Sequence, residues 1–436
     1  MFMGAYFVIF GMATYIGVIT GDTLEAVWGG PAAVDLGRGN VITISDAVVI
    51  LGALCFLGGY FLVHNTRGQR QSRFMAREWR YPTILKLGLA LWLTGFIVMF
   101  AYDMTVSVYK APPYILGIPV SIASNMRNLS PLGAVMLVYL VCRDYKPALL
   151  WTLLGLIIAA EFTFGFIVSS KEISFRILVL LFLGQYYLKG RLNLKLVAAM
   201  LAVSIPYLLF FNAYRMQMME GGYLDPAAAF EAFEENLEAA KGKTKGETDV
   251  TGYSLRSLRG RVDGKVYIDI IVAGTNSGKA PYMYGETLTL FFQSFIPRLL
   301  WPEKPNISTG QLFNKIFHLS ASPLTYVPTT QLGEWYWNFA MPGVIAGMFA
   351  MGLLFGRLSG ALATGHMTIA RFLVLLVATY YLAIRFEGNI AAQYSMVIRL
   401  VALVWLLDLL FRGAARSRPA ASQPAPVTSP TAEAVK

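Results

Sequence analysis

The ten residues IPRLLWPEKP, Ile296 to Pro305, combine three prolines with the cations Arg298 and Lys304 in a mostly apolar chain. Proline fixes its own φ and has no backbone N–H to donate, so this stretch suits neither a transmembrane helix nor a strand. We expect a rigid loop that holds Arg298 and Lys304 in place. Because guanidinium and ammonium groups bind phosphate oxygens, the loop is a candidate site for an anionic ligand.

Two other stretches carry residues that could do chemistry. RGRVDG, from Arg259 to Gly264, contains two arginines and a carboxylate. QLGEWYWNFAMPG, from Gln331 to Gly343, places one carboxylate, Glu334, beside three aromatic residues. Trp and Tyr in such a position are typical of an anchor in the membrane interface, and they also suit stacking on a sugar ring.

The composition determines which kind of protein must position these residues. Of 436 residues, 56% are hydrophobic and only 14% are charged, whereas soluble domains have about 25% charged residues. Apolar runs of membrane-spanning length recur along the chain, each long enough to cross a hydrocarbon core of roughly 30 Å. We therefore predict an all-α polytopic membrane protein. The two cysteines, Cys55 and Cys142, offer neither a disulfide framework nor metal-ligand spacing.

Basic loops set the predicted orientation, because Lys and Arg accumulate on the cytoplasmic side. This accumulation also accounts for part of the net charge of +11, and we expect no nucleic acid partner. The predicted organisation is about seven spans in 1–211, a large outer loop in 212–335, about three spans in 336–412 and a disordered cytoplasmic tail in 413–436. Both termini are then cytoplasmic. The ten predicted spans are 2–20, 42–63, 83–102, 128–142, 148–168, 174–188, 194–212, 337–356, 368–386 and 392–411.

Charged residues in and near the spans fall mainly in the predicted outer half of the membrane. They are Asp46, Asp103, Lys110, Arg127, Glu161, Lys171, Glu172, Arg176, Arg385, Glu387 and Arg399. Ionisable groups within a bilayer are costly, so the set indicates a polar cavity open to the outside, although each one could instead serve a helix–helix ion pair. The large loop adds further cations on that face, which favours an anionic ligand such as a lipid pyrophosphate.

The motifs resemble those of the Wzy-type polymerases of O-antigen and oligosaccharide repeat units. That family has a Pro-Arg followed by a Trp/Pro-Lys-Pro turn, and then a Gly/Glu–aromatic–Asn-Phe-Gly-x-x-Gly segment where a span begins. Here these are PRLLWPEKP (297–305), Gly333-Glu334 and NFAMPG (338–343). Ala340 stands where the family pattern has glycine. The motifs cover roughly residues 255 to 345.

The resemblance implies a GT-C-like, metal-independent glycosyltransferase of the bacterial inner membrane that needs no cofactor. It would move a growing glycan from one undecaprenyl pyrophosphate carrier to another lipid-linked repeat unit, with membrane lipids, a chain-length regulator and a flippase as partners. A carboxylate, Glu334 or Asp263, would act as general base on the acceptor hydroxyl. The pyrophosphate would be bound by Arg298, Lys304, Arg259, Arg261, Arg215 and Arg385.

Three alternatives stay open at this point. An O-antigen ligase would use the same lipid donor, with His318 as the available loop histidine. A transporter or flippase of lipid-linked oligosaccharide would line a path through both halves of the membrane with charges, and its helices would break near the midplane. A non-catalytic membrane subunit of a polysaccharide assembly complex is the third.

Overall fold

The computed structural model describes residues 38–66, 75, 77–105, 112–143, 147–168, 170–190, 264–296, 300–301, 303–304, 308–319, 326–362 and 366–411, with isolated residues between 195 and 207. These parts of the chain are mostly helical. The predicted span 2–20, most of the large loop and the tail lie outside the described residues. The helices are α1 (Arg38–Thr66), α2 (Tyr81–Thr105), α3 (Val120–Met126), α4 (Leu129–Cys142), α5 (Pro147–Ile167), α6 (Lys171–Lys189), α7 (Lys265–Asn276), α8 (Glu286–Gln293), α9 (Thr309–Phe317), α10 (Gln331–Leu362), α11 (Ile369–Ala378) and α12 (Ile390–Phe411).

Within the described residues, five helices are long and apolar enough to cross a membrane. The spanning segments are Ile44–Val63, Tyr81–Thr105, Ala148–Ile167, Gln331–Leu362 and Ile390–Phe411. The chain is therefore a helical membrane protein, as its composition predicts. A π-helical turn, Thr379–Ile384, extends α11, and the combined helix is shorter than a full span. A two-stranded hairpin, β1 (Tyr114–Ile115) with β2 (Ile118–Pro119), follows α2.

The short helix α4 lies at the centre of the larger core. It has 14 residues, and every one from Ser130 to Cys142 is buried. A helix that is apolar on all sides is stable only when other helices surround it. Here α2, α5, α6 and α11 pack around it.

The helices α1 and α10 run in parallel and touch through glycines. A Cβ atom added at Gly352 would lie 2.1 Å from the carbonyl oxygen of Phe56, and one added at Gly356 would lie 2.7 Å from that of Tyr60. Since the residue numbers increase together along both helices, they cross in the same direction. The predicted order of the spans requires the same parallel arrangement of 42–63 and 337–356.

The described parts of the predicted large loop form the short helices α7, α8 and α9. Ile268 and Ile271 of α7 are fully buried, and α7 packs against α1 and α10. Phe313 of α9 is also fully buried, and its ring lies 5.5 Å from that of Trp337. The helices α7 and α9 are therefore part of the packed bundle.

The helix α10 is broken near its start. Phe339 (φ −138°, ψ 20°) and Ala340 (φ 50°, ψ −144°) are non-helical, and Pro342 follows them, a residue that removes a helical hydrogen bond. The break leaves the carbonyls of Trp337 and Asn338 free to accept the backbone N–H groups of Met283 and Tyr284, at 3.0 and 3.1 Å. It thereby fixes the segment before α8 against α10.

Candidate functional site

Polar and charged side chains meet at the end of the bundle where α12 begins. The predicted site residues Glu334, Lys304 and Arg385 are within the described residues, and all three lie in this region. Arg298, Arg259, Arg261, Arg215 and Asp263 lie outside the described residues, so the structure says nothing of them.

Three arginines of this region each bind a carboxylate. Arg176 and Glu161 form a fully buried pair at 2.7 Å, Arg127 lies 2.6 Å from Asp103, and Arg385 lies 3.0 Å from Glu172. Buried charges need a partner because removal from water is costly. For these six residues the structure therefore favours the ion-pair alternative over free charges lining a cavity.

The pair of Glu161 and Arg176 is the most enclosed. The hydroxyl of Ser130 and the indole N–H of Trp92, the latter at 3.3 Å, also donate to the Glu161 carboxylate. The pair thereby joins α5 and α6 to α2 and α4. We assign it a structural role.

The pair of Arg385 and Glu172 is more open. Their side chains are 38% and 43% exposed. The guanidinium of Arg385 lies 5.5 Å above the ring of Tyr381, and Tyr380 donates a hydrogen bond to Glu172 at 3.3 Å. Arg385 is accessible to a ligand, but its charge is already partly neutralised.

Lys304 lies at the C-terminal end of α8. Its ammonium group donates to the backbone oxygens of Ser294, at 3.3 Å, and Ile296, at 2.9 Å. Cations are favourable at this end of a helix because its last carbonyls carry partial negative charge. Lys304 is thus held against the helix that precedes it.

Arg399 of α12 reaches the same place. Its guanidinium donates to the backbone oxygen of Ser294 at 3.2 Å, to Ser395 at 3.2 Å and to the side-chain oxygen of Asn125. Sequence reasoning placed Arg399 on the outer side but did not select it as a site residue. A charged residue within an apolar span was the feature of the sequence that could have identified Arg399 as a site residue.

The carboxyl group of Glu334 is fully buried. Its Oε2 accepts the backbone N–H of Ile390 at 2.7 Å, and the hydroxyl of Thr287 lies beside the same carboxyl group. Its Oε1 has no hydrogen-bond partner among the described residues. Glu334 therefore acts as a cap for the first turn of α12 and keeps one oxygen available.

Other polar atoms near Glu334 are also buried without a hydrogen-bond partner among the described residues. The side-chain oxygens of Gln331 and Gln393 and the hydroxyl of Tyr394 are buried and lack a hydrogen-bond partner among the described residues. Tyr326 lies outside the spans, and burial raises the pKa of its phenol. The hydrogen bond with Asn389 lowers this pKa, whereas the nearby Glu334 carboxylate raises it further. The junction of α10 and α12 is thus an unusually polar part of the interior.

The aromatic residues after Glu334 are not at a surface. Trp337 is fully buried and Tyr336 is 4% exposed. The indole N–H of Trp337 donates to the carbonyl of Pro281 at 3.1 Å. For these two residues the structure contradicts both expectations, the interface anchor and the sugar-stacking platform, because α7 and α9 cover them.

Among the described residues we find neither a metal centre nor a histidine-based site. The described part of the chain contains no group of three His, Cys, Asp or Glu side chains that could hold a metal ion. His318 ends α9 in a left-handed conformation (φ 53°), and this is a capping position.

No family model, curated protein or solved structure matches this chain. Its function therefore has to be argued from its residues and their geometry.

Proposed function

We propose that the protein is a GT-C-like glycosyltransferase that polymerises undecaprenyl-pyrophosphate-linked oligosaccharide units at the outer face of the bacterial inner membrane. Ten spans, with both termini in the cytoplasm, belong to this proposal. The observation that carries it is where two motif residues, Glu334 and Lys304, meet α12. Glu334 accepts the backbone N–H of Ile390, the first residue of this helix. Lys304 donates to the same carbonyl oxygen as Arg399, which lies nine residues further along α12.

This arrangement suits the chemistry of glycan transfer. The guanidinium of Arg399 reaches back to Ser395, five residues after Ile390, so about 8 Å of α-helix separates the cations from the carboxylate, a distance comparable with the size of one sugar unit. Fixed cations stabilise the negative charge that develops on a departing pyrophosphate. A carboxylate within hydrogen-bond distance of the acceptor hydroxyl removes its proton.

Glu334 is the proposed base, and its Oε1 is the atom that would take the proton. Because this carboxyl group is fully buried, the acceptor reaches it only when the segments around it separate. The turn before α8 lies against the break in α10 and is the segment that we expect to move. Asp263 keeps its place as the second candidate for the base.

The transporter alternative predicts broken helices near the midplane, and α10 is broken. The break at Phe339 and Ala340 lies in the first third of a 32-residue helix. The helical part that follows it is about 33 Å long by itself, enough to cross the hydrocarbon core. The break therefore lies at the edge of the membrane, which fits a site for a surface reaction better than a transport path.

A disruption of the gene in the native host tests the proposal, with the surface glycan separated by size. The strain is complemented with the wild type, with Arg298→Ala and with the matched control Glu286→Gln, an exposed carboxylate on α8. We expect a ladder of chain lengths to collapse to a single repeat unit, with rescue by the wild type and the control but not by Arg298→Ala.

Two outcomes would contradict polymerisation. Polymer retained on the lipid carrier, with none on the surface, would indicate a ligase. An unchanged surface glycan would show that the protein does not act in this pathway. Rescue by Arg298→Ala would exclude only that residue from the site.

A further inference from the structure

The side chain of Tyr284 is held in the open by a strained backbone. It is 79% exposed, more than any other large apolar or aromatic side chain in the described part of the chain. Its φ of 44° is positive, which is unfavourable for a bulky residue but not for glycine. So exposed a ring contributes little to the packing of the fold. Because strained residues concentrate at sites that bind ligands, Tyr284 is a candidate for a binding role.

The turn that carries Tyr284 is fixed to α10 by three hydrogen bonds. Two are the backbone bonds from Met283 and Tyr284 to the break in α10. In the third, the N–H of Gly285 donates to the side-chain oxygen of Asn338 at 2.9 Å. A ligand that stacks on the Tyr284 ring therefore does not have to order the turn, and binding is stronger when such an ordering cost is absent.

Hydrogen-bonding groups lie beside the exposed ring. The ring centroid of Tyr282 is 6.3 Å from that of Tyr284, and the Tyr282 hydroxyl donates to Asn276 Oδ1 at 3.1 Å. The hydroxyl of Tyr336 donates to the same oxygen at 3.3 Å. Asn276 is itself exposed. These two bonds occupy only its oxygen, so the two N–H groups of its amide remain for a ligand.

The composition of this segment suits a carbohydrate. Residues 276–285 read NSGKAPYMYG, and Ser277 and Lys279 are exposed as well. Tyrosine with Asn, Ser and Gly is common on binding surfaces, because the rings supply contact area and the small polar residues supply hydrogen bonds. A sugar ring has an apolar face of C–H groups and a rim of hydroxyls. The membrane interface also accepts tyrosine, but the exposed amide, hydroxyl and ammonium groups favour a polyhydroxyl ligand.

The turn is connected to the proposed base. Asn338, which accepts the N–H groups of Tyr284 and Gly285, donates through its own amide to the hydroxyl of Thr287 at 2.7 Å. That hydroxyl lies beside the Glu334 carboxyl group. A sugar bound on Tyr284 would thus contact the same turn that covers the proposed base.

We propose that Tyr284 and the amide of Asn276 bind a sugar ring of the glycan. Tyr284 then has the stacking role that the sequence suggested for the aromatic residues after Glu334, of which Tyr336 and Trp337 are buried. The inference rests on the proposed function and deepens it, because polymerisation needs a surface that retains the glycan while a unit is added.

Glycan binding by the purified full-length protein in detergent tests this inference. One probe is the oligosaccharide released by mild acid from the surface glycan of the native host, free of lipid and pyrophosphate. The other is a printed array of bacterial glycans.

Three variants and one control separate the contributions. Tyr284→Gly removes the ring and the strain together, and Tyr284→Phe keeps the ring. Asn276→Asp keeps the oxygen that Tyr282 and Tyr336 bind but removes the amide N–H groups. Tyr114→Ala is the control, since Tyr114 is a tyrosine of the β1–β2 hairpin that is also exposed, at 62%.

We expect Tyr284→Gly to weaken glycan binding by about tenfold or more, the scale of a stacking contact on an aromatic ring. Asn276→Asp should weaken it by roughly two- to tenfold, the range of a single hydrogen bond. Tyr284→Phe and Tyr114→Ala should bind nearly as well as the wild type. Tyr284→Gly should unfold at the same temperature as the wild type or a higher one, because glycine relieves the strain, so its loss of binding would not be a loss of fold.

Equal affinity of the wild type and Tyr284→Gly would overturn the inference, and so would the absence of binding to the released oligosaccharide and to every glycan of the array. Equal affinity with a loss of stability confined to lipid nanodiscs would identify Tyr284 as an anchor in the membrane interface. The assay involves no transfer reaction. Binding to an array glycan that depends on Tyr284, together with an unchanged surface glycan after gene disruption, would therefore remove the polymerase function and leave the binding surface.

Discussion

The carboxylate of Glu334 accepts the backbone N–H of Ile390 at 2.7 Å and so ties the start of α10 to the start of α12. This bond gives Glu334 a structural role whatever its part in chemistry. Substitutions that keep the bond and change the charge separate the two roles.

We predict that Glu334→Gln folds normally but loses polymer formation. Glutamine keeps an oxygen for the N–H of Ile390 but cannot take a proton from the acceptor, a loss worth roughly 10²–10⁴ in rate. Glu334→Ala should also lower the free energy of unfolding by about 1–3 kcal/mol, because it leaves a buried N–H without a partner.

The rate is measured from the length of the surface glycan and the stability from thermal unfolding in detergent. Glu286→Gln, on the exposed face of α8, is the control. A fully active Glu334→Gln variant would eliminate Glu334 as the base and leave Asp263.

Ala340→Gly should stabilise the protein. Ala340 has φ 50° and ψ −144°, a region that is almost exclusive to glycine and costs other residues of order 1–3 kcal/mol. Ala346→Gly, in the regular part of α10, should have the opposite sign and cost about 1 kcal/mol. Unfolding in mixed micelles with increasing sodium dodecyl sulfate measures the stability of both variants. A loss of stability in both would show that Ala340 is not strained.

Gly352→Ala should weaken the contact between α1 and α10. The added methyl group would lie 2.1 Å from the carbonyl oxygen of Phe56, so the two backbones must separate, at a cost of about 1–3 kcal/mol. Gly360→Ala, on the same helix with no atom within 4 Å of the new Cβ, should be neutral or stabilising. If Gly352→Ala and Gly360→Ala have the same free energy of unfolding, the two helices do not approach each other as closely as described.

Replacement of both members of the buried pair of Glu161 and Arg176 should be less harmful than replacement of one. Glu161→Leu alone leaves the Arg176 charge buried, at a cost of about 3–5 kcal/mol. The double variant with Arg176→Leu removes both charges and should regain most of that stability and retain polymer formation. Loss of polymer in a stable double variant would give the pair a functional role instead of a structural one.

The hydropathy of the chain was sufficient to locate most of the described helices. The predicted spans 83–102, 148–168 and 392–411 lie within a few residues of α2, α5 and α12. A long apolar run in a bilayer forms a helix because a helix satisfies all its backbone hydrogen bonds within the segment. The break in α10 was not predicted, although Pro342 and the expected glycine at Ala340 were signals for it. The positive φ of Ala340 now gives a physical reason for a glycine there.

The candidate site was only partly predictable. A sequence shows that Lys304 follows two prolines, but not that its ammonium group and Arg399 would share the carbonyl of Ser294. Nor does it show which arginines have carboxylate partners, since Arg385 and Glu172 are more than 200 residues apart. The burial of Trp337 depends on α9, whose packing a local pattern of aromatic residues does not reveal.

The short buried helix α4 has a consequence for the membrane itself. Its 14 residues extend about 21 Å, against a hydrocarbon core of roughly 30 Å. Arg143, at its end, pairs with Glu78 of the segment that the sequence predicts to be cytoplasmic, and in that predicted orientation the helix would end about 9 Å below the outer boundary. At that end Ser130 donates to Glu161 of the buried ion pair, so the polar part of the interior begins where this short apolar helix ends.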